Sequence, residues 1–159
     1  MRRYLGAALV TVAAAAAWMA MLPQAPLSQP MAFPHAKHQK MACTVCHRGA
    51  ATSARAGIPD VALCAKCHAT APAGTGAAWE SAVAKKTIAW VQVTQVPDHV
   101  MFSHRRHTTL GGLRCESCHG DMKQRWTPPG RSPVRLNMTT CLSCHRREGA
   151  AEDCAACHR

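Results

Sequence analysis

Five copies of Cys-x-x-Cys-His dominate the chemistry of this 159-residue chain. They are Cys43, Cys46 and His47; Cys64, Cys67 and His68; Cys115, Cys118 and His119; Cys141, Cys144 and His145; and Cys154, Cys157 and His158. Together they use all ten cysteines. Two thiols one helical turn apart can add to the two vinyl groups on one edge of a haem, and the next residue then aims an imidazole at the iron. The spacing is that of covalent c-type haem attachment, so the expected cofactor is five haem c groups. Two other chemistries use Cys-x-x-Cys. Structural zinc needs four ligands, usually two such pairs or one pair with two histidines, and five pairs suit it poorly. A dithiol redox motif occurs once, on a βαβ pattern that this chain lacks. Neither calls for a histidine after every pair.

Ten histidines are present, so five remain outside the motifs: His35, His38, His99, His104 and His107. A haem iron takes two axial ligands, and the second decides whether it stays six-coordinate or binds a substrate. Five further histidines for five irons is the count for full bis-histidine ligation. Four of them lie in a repeat. Phe33-Pro34-His35-Ala36-Lys37-His38 precedes Cys43, and Phe102-Ser103-His104-Arg105-Arg106-His107 precedes Cys115. Imidazoles three residues apart share roughly one face of a helical turn and can serve two neighbouring haems. His99 has no such repeat, and its assignment rests on the count. If it does not ligate, one iron is open or takes another ligand. Met138 is then the first methionine to consider, although its ordinary role would be packing against a porphyrin face.

The elements that must position these groups are expected to be short helices with much coil, wrapped around a five-haem core, with little or no sheet. Hydrophobic residues make up 48% of the chain, but aromatics only 4%, and the cysteines in that figure are committed to haem. Little large apolar side chain is left for an ordinary core, and without the first thirty residues about 26 residues per haem is too few to wrap each one separately. Asp60, Asn137 and Asp153 stand where helix N-caps belong, with a helix predicted over 61–69. A further helix is predicted over 79–86. Residues 88–96 have a partial β alternation, and 126–133 reads as a loop. Residues 1–30 comprise an uncharged run of about 19 residues behind Arg2 and Arg3, read as a removed signal peptide or a membrane anchor, and a proline-rich spacer. Either reading exports the rest, a cytochrome domain over 31–159 with a two-haem lobe at about 31–75 and a three-haem lobe at about 96–159. The expected location is the periplasmic side of a bacterial cytoplasmic membrane.

The Phe-x-His-x-x-His element followed by Cys-x-x-Cys-His resembles the class III c-type cytochromes. The second half is similar to the pentahaem subunits of bacterial membrane quinol-oxidising complexes of the alternative complex III group. That likeness runs from Trp90-Val91-Gln92-Val93 through Val96-Pro97-Asp98-His99-Val100-Met101 and Cys118-His119-Gly120 to Cys144-His145-Arg146 and Cys157-His158-Arg159. The class III resemblance implies that His35 serves the haem on His47 and His104 the haem on His119, with His38 and His107 reaching other haems. It also implies redox proteins as partners, within or beside a membrane respiratory complex.

The formal charge of +11 would by itself suggest nucleic acid or membrane. Five haems with ionised propionates bring the total to about +6 oxidised and +1 reduced, and no stacking motif supports nucleic-acid binding. The function expected is non-catalytic electron transfer. The alternative is a multihaem reductase, which needs one open iron and nearby acid–base groups.

Overall fold

The computed structural model describes residues 25–159 together with Thr11, Val12, Ala14, Trp18 and Met19. The expected signal or anchor segment therefore lies mostly outside the described residues, among which no helix is long and apolar enough to cross a membrane.

The chain folds as short helices and coil. Within residues 25–159 the α-helices are α1 (Cys43–Cys46), α2 (Val61–Cys64), α3 (Gly76–Lys85), α4 (Glu116–His119), α5 (Met138–Glu148) and α6 (Cys154–Cys157). Single 3₁₀ turns at His35–His38, Arg48–Ala50 and Met122–Gln124, and a π-turn at Arg106–Leu110, lie among them. The haem motifs are themselves the helix formers. In four of them the histidine N–H donates to the carbonyl of the first cysteine: His47 to Cys43 at 2.8 Å, His68 to Cys64 at 3.0 Å, His119 to Cys115 at 3.0 Å and His158 to Cys154 at 2.8 Å. That bond closes one helical turn and puts both thiols on one face.

Caps set where several turns begin. The Asp60 carboxylate accepts from Val61 N–H at 2.6 Å, Asn137 Oδ1 from Thr140 N–H at 2.9 Å and Asp153 from Ala156 N–H at 3.0 Å. Such a cap is worth about 1 kcal/mol. At the other end of α5, Gly149 takes a left-handed conformation (φ 63°), which glycine adopts without steric cost. The helix predicted over 61–69 ends at Cys64, because the chain turns there to present Cys67 and His68. The helix predicted over 79–86 starts three residues earlier, at Gly76.

Residues 88–96 form no strand. The one bridge among the described residues joins Val100 to His158. The β alternation at 88–96 lacks a partner strand, and strand propensity is mostly a preference for a paired, half-buried surface. Part of its backbone is instead satisfied by a side chain: the Gln29 amide accepts from Val91 N–H at 3.0 Å and donates to Val91 carbonyl at 2.8 Å. The apolar core is small. Met31, Val61, Trp79, Ala82 and Ile88 form its cluster, and no described side chain is less than 2% exposed.

Candidate haem-binding sites

The five motifs, numbered sites 1 to 5 in chain order, each acquire a second histidine. The ring of His38 faces His68 with centroids 6.2 Å apart, and His104 faces His119 at 6.2 Å. His107 faces His145 at 6.1 Å, and His99 faces His158 at 5.4 Å. His35 lies close enough to His47 for an imidazolium there to oppose the protonation of His35. An imidazole–metal bond is about 2 Å, and the ring centre lies roughly 1 Å behind the nitrogen. Two imidazoles on opposite sides of one iron therefore sit about 6 Å apart, the separation at sites 2, 3 and 4. At site 5 the rings are almost 1 Å closer. Met138 stands at the first position of α5 and is 62% exposed.

Backbone carbonyls fix the tautomer of half these rings. His47 Nδ1–H donates to Gly57 at 2.8 Å, His104 to Ala54 at 2.9 Å and His145 to Ala151 at 2.6 Å. His38 donates to Pro34 at 3.1 Å and His107 to Ser103 at 2.8 Å. A carbonyl can only accept, so Nδ1 carries the proton and Nε2 keeps a free lone pair for a metal. Burial, aided by neighbouring imidazoles, holds His35 and His119 below the ordinary histidine range, which keeps them in the neutral, ligating form. Burial likewise pushes the thiols of Cys46, Cys64, Cys115, Cys118 and Cys141 up. They stand as neutral S–H groups, which add across a vinyl group hydrogen and all. Paired thiols, neutral facing imidazoles and a ring separation of one imidazole–metal–imidazole span fit haem c.

The spatial order of the sites differs from the chain order. Sites 1 and 2 are joined by the turn at His35–His38, which offers one histidine to each. Sites 3 and 4 are joined the same way by His104 and His107. The thiols of Cys43 and Cys115 lie close enough to interact, which brings sites 1 and 3 together. Sites 4 and 5 adjoin through Cys141 and Cys157, whose thiols interact. The sequence of neighbours is 2–1–3–4–5.

A feature that the sequence did not announce holds sites 1 and 3 in place. The loop 48–57 turns its carbonyls toward the second Phe-x-His-x-x-His element. Ala54 carbonyl accepts from His104 N–H at 3.0 Å as well as from its ring, and Ser53 carbonyl accepts from Arg105 N–H at 3.0 Å. Ala50 and Ala51 carbonyls accept the Thr108 and Thr109 hydroxyls, each at 2.7 Å. A Cβ at Gly49 would run into the Arg55 carbonyl, so the loop closes this tightly only with glycine there. Carbonyls belong to every residue type, and no sequence signal marks which of them will be used.

Residues 11–96 match the class III cytochrome C family, and residues 100–159 match cytochrome c7 and related cytochrome c. The chain is also 27% identical over 161 residues to the multiheme cytochrome c subunit of menaquinone reductase from Nitratidesulfovibrio vulgaris, a similarity that covers 82% of this chain and 77% of that protein. With more than half of its length in the first match, the chain belongs to the class III family of multihaem, electron-transferring c-type cytochromes, which carry covalent haem c.

Proposed function

We propose that the protein holds five haem c groups. Cys43/Cys46, Cys64/Cys67, Cys115/Cys118, Cys141/Cys144 and Cys154/Cys157 attach them, and His47/His35, His68/His38, His119/His104, His145/His107 and His158/His99 are the axial pairs. It serves as an electron-carrying subunit or partner of a membrane quinone-linked respiratory complex on the periplasmic side. The observation that carries this reading is the facing histidine at every motif. Bound haem c supplies a one-electron couple, and bis-histidine ligation keeps its potential low to moderate. The chain's own part is to present ten imidazoles, fix the tautomers of five of them with backbone carbonyls and align the sites as neighbours. A reductase needs one open iron, and the pairing of His99 with His158 favours the carrier. Of the two kinds of complex that the resemblances suggest, the named relative favours a menaquinone reductase over an alternative complex III.

Intact mass tests the cofactor count: about 3 kDa above the processed or unprocessed polypeptide is expected, and any other increment contradicts five attachments. His99→Ala tests the axial set, since it should create one high-spin iron that binds carbon monoxide. An unchanged low-spin spectrum would remove His99 from the set and reopen the reductase reading. Recovery of the protein from membranes together with a quinone-reactive complex tests the partner.

A further inference from the structure

Sites 1 and 4 are built from the same residue types, but the chain surrounds their imidazoles differently. An imidazole whose Nδ1–H donates to an acceptor gains negative character and becomes a stronger donor to a metal on Nε2. A stronger donor favours the oxidised iron, so such a bond lowers the reduction potential of a haem held there. At site 4 both rings have an acceptor: His107 donates to Ser103 carbonyl at 2.8 Å and His145 to Ala151 carbonyl at 2.6 Å. Sites 1, 2 and 3 have one carbonyl each, behind His47, His38 and His104, and site 5 has none among the described residues. The second ring of site 1 is unlike all the others. Nδ1 of His35 is enclosed by protein and meets no acceptor, and no other ring nitrogen of the five sites is both enclosed and unpartnered. Protein atoms already cover it, so neither water nor a haem propionate can reach it.

The charges beside the two sites differ in the same sense. Asp121 caps the turn Met122–Gln124 by accepting from Lys123 N–H at 3.0 Å, and Arg125 N–H closes it on Met122 carbonyl at 3.0 Å. Arg125 carbonyl accepts from Ala36 N–H at 2.9 Å, which ties this residue to the turn that carries His35. Arg125 is half-buried and forms no ion pair with a described residue. Its guanidinium is near enough for its charge to oppose protonation of His35. The arginines that follow His145 at site 4 bring their own counter-ions: Arg146 pairs with Glu152 at 2.6 Å and Arg147 with Glu148 at 3.0 Å. Arg147 also reaches Cys144 Sγ at 3.3 Å, but Glu148 accompanies it. An uncompensated cation stabilises the reduced haem, which is one charge more negative than the oxidised one.

We propose that the chain sets sites 1 and 4 apart in reduction potential, with the acceptor-free ring of His35 and the cation of Arg125 making site 1 the easier to reduce. This rests on the five-haem reading and its axial pairs. Two features act at each site, and all four point the same way. At site 1 one imidazole is a weaker donor and a cation is unpaired. At site 4 both imidazoles are stronger donors and the cations are paired. In the sequence of neighbours 2–1–3–4–5 these two sites flank site 3. An electron shared between them rests at site 1 and leaves site 4 oxidised. Arg125 acts here through its field and is no part of the ligand set.

The test uses the intact holoprotein. Mass spectrometry first confirms five haems, and electron paramagnetic resonance confirms that every iron is low-spin. A deficit in mass or a high-spin iron faults the five-haem reading and the proposal with it, whereas the outcomes below concern the proposal alone. NMR of the haem methyl groups in partly reduced samples gives the share of the first electron held at each haem. The share at the haem of His47 should exceed that at the haem of His145 about tenfold, equivalent to about 59 mV for a one-electron couple. R125Q should lower this ratio about threefold, and R125K, which keeps the charge, should restore most of it. The Nδ1 proton of His35 should resonate upfield of those of His107 and His145, which have carbonyl acceptors. Equal shares, or the larger share at site 4, overturn the proposal. So does a ratio unchanged in R125Q, or lowered equally by R125Q and R125K, because Arg125 would then act through packing and not through charge. A His35 Nδ1 proton as far downfield as the other two also overturns it, since that ring would then have an acceptor.

Discussion

Residues 33–38 and 102–107 build the same small object twice. Phe33 meets His35 edge-on at 4.8 Å and 88° and stacks on His38 at 4.7 Å and 19°. Phe102 meets His104 at 4.9 Å and 88° and stacks on His107 at 4.6 Å and 24°. In both, the last histidine donates Nδ1–H to the carbonyl four residues back. The first histidines differ. His104 has the carbonyl of Ala54, supplied by the loop 48–57. His35 Nδ1 is the one buried side-chain nitrogen or oxygen without a partner among the described residues. The phenylalanine and the three-residue spacing thus set the splay of the two imidazoles locally. The hydrogen bond that tunes the first imidazole comes from elsewhere in the chain, and the two copies obtain it unequally.

The comparison breaks most severely at the second histidine of each element. His38→Ala and His107→Ala each remove an imidazole that reaches into another segment, and each should leave one high-spin, carbon monoxide-binding iron. The cross-tie is lost as well, so the melting temperature should fall by on the order of 10 °C. Electron paramagnetic resonance and thermal unfolding check both, and two fully low-spin variants would contradict the pairing.

Next in size are Phe33→Ala and Phe102→Ala. Deleting a buried phenylalanine costs about 3–5 kcal/mol. Both rings are only half-buried, so about 2 kcal/mol is expected for each in denaturant unfolding of the holoprotein. Equal losses support the shared geometry, and a difference above about 1 kcal/mol would show that the surroundings dominate.

Gly49→Ala should separate the two copies. The added methyl forces the loop 48–57 to shift, at about 1–3 kcal/mol. It should weaken the Nδ1 hydrogen bond of His104, seen as an upfield move of that proton, while leaving the ring of His35 unaltered. The smallest effect belongs to Thr108→Val. It removes a hydroxyl that reaches the carbonyls of Ala50 and His104, with a loss of about 1 kcal/mol. The first element has no counterpart to that residue.

What was legible in the sequence was local. The Cys-x-x-Cys-His turns, the caps at Asp60, Asn137 and Asp153, and most of α3 follow from short-range spacing and side-chain chemistry. The mainly helical, coil-rich architecture follows from composition. Long-range features were not legible. Nothing near His99 points to His158, nearly sixty residues away. Gln29 gives no sign that its amide will satisfy the backbone of Val91. The alternation at 88–96 was a real pattern whose outcome depended on whether another strand lay beside it. The loop 48–57 contributes through its main chain, and the main chain is the same at every residue.

In every facing pair the histidine outside the motif comes first in the chain: His35 before His47, His38 before His68, His99 before His158, His104 before His119 and His107 before His145. For a polypeptide delivered across a membrane amino end first, this ordering becomes a schedule. When a pair of cysteines emerges and a porphyrin is joined to it, the imidazole for its other side has already arrived. On the proposed ligation, maturation can proceed one site at a time without a half-finished metal centre waiting for a ligand still inside the cell. That limits the interval in which an exposed ferrous iron could meet oxygen.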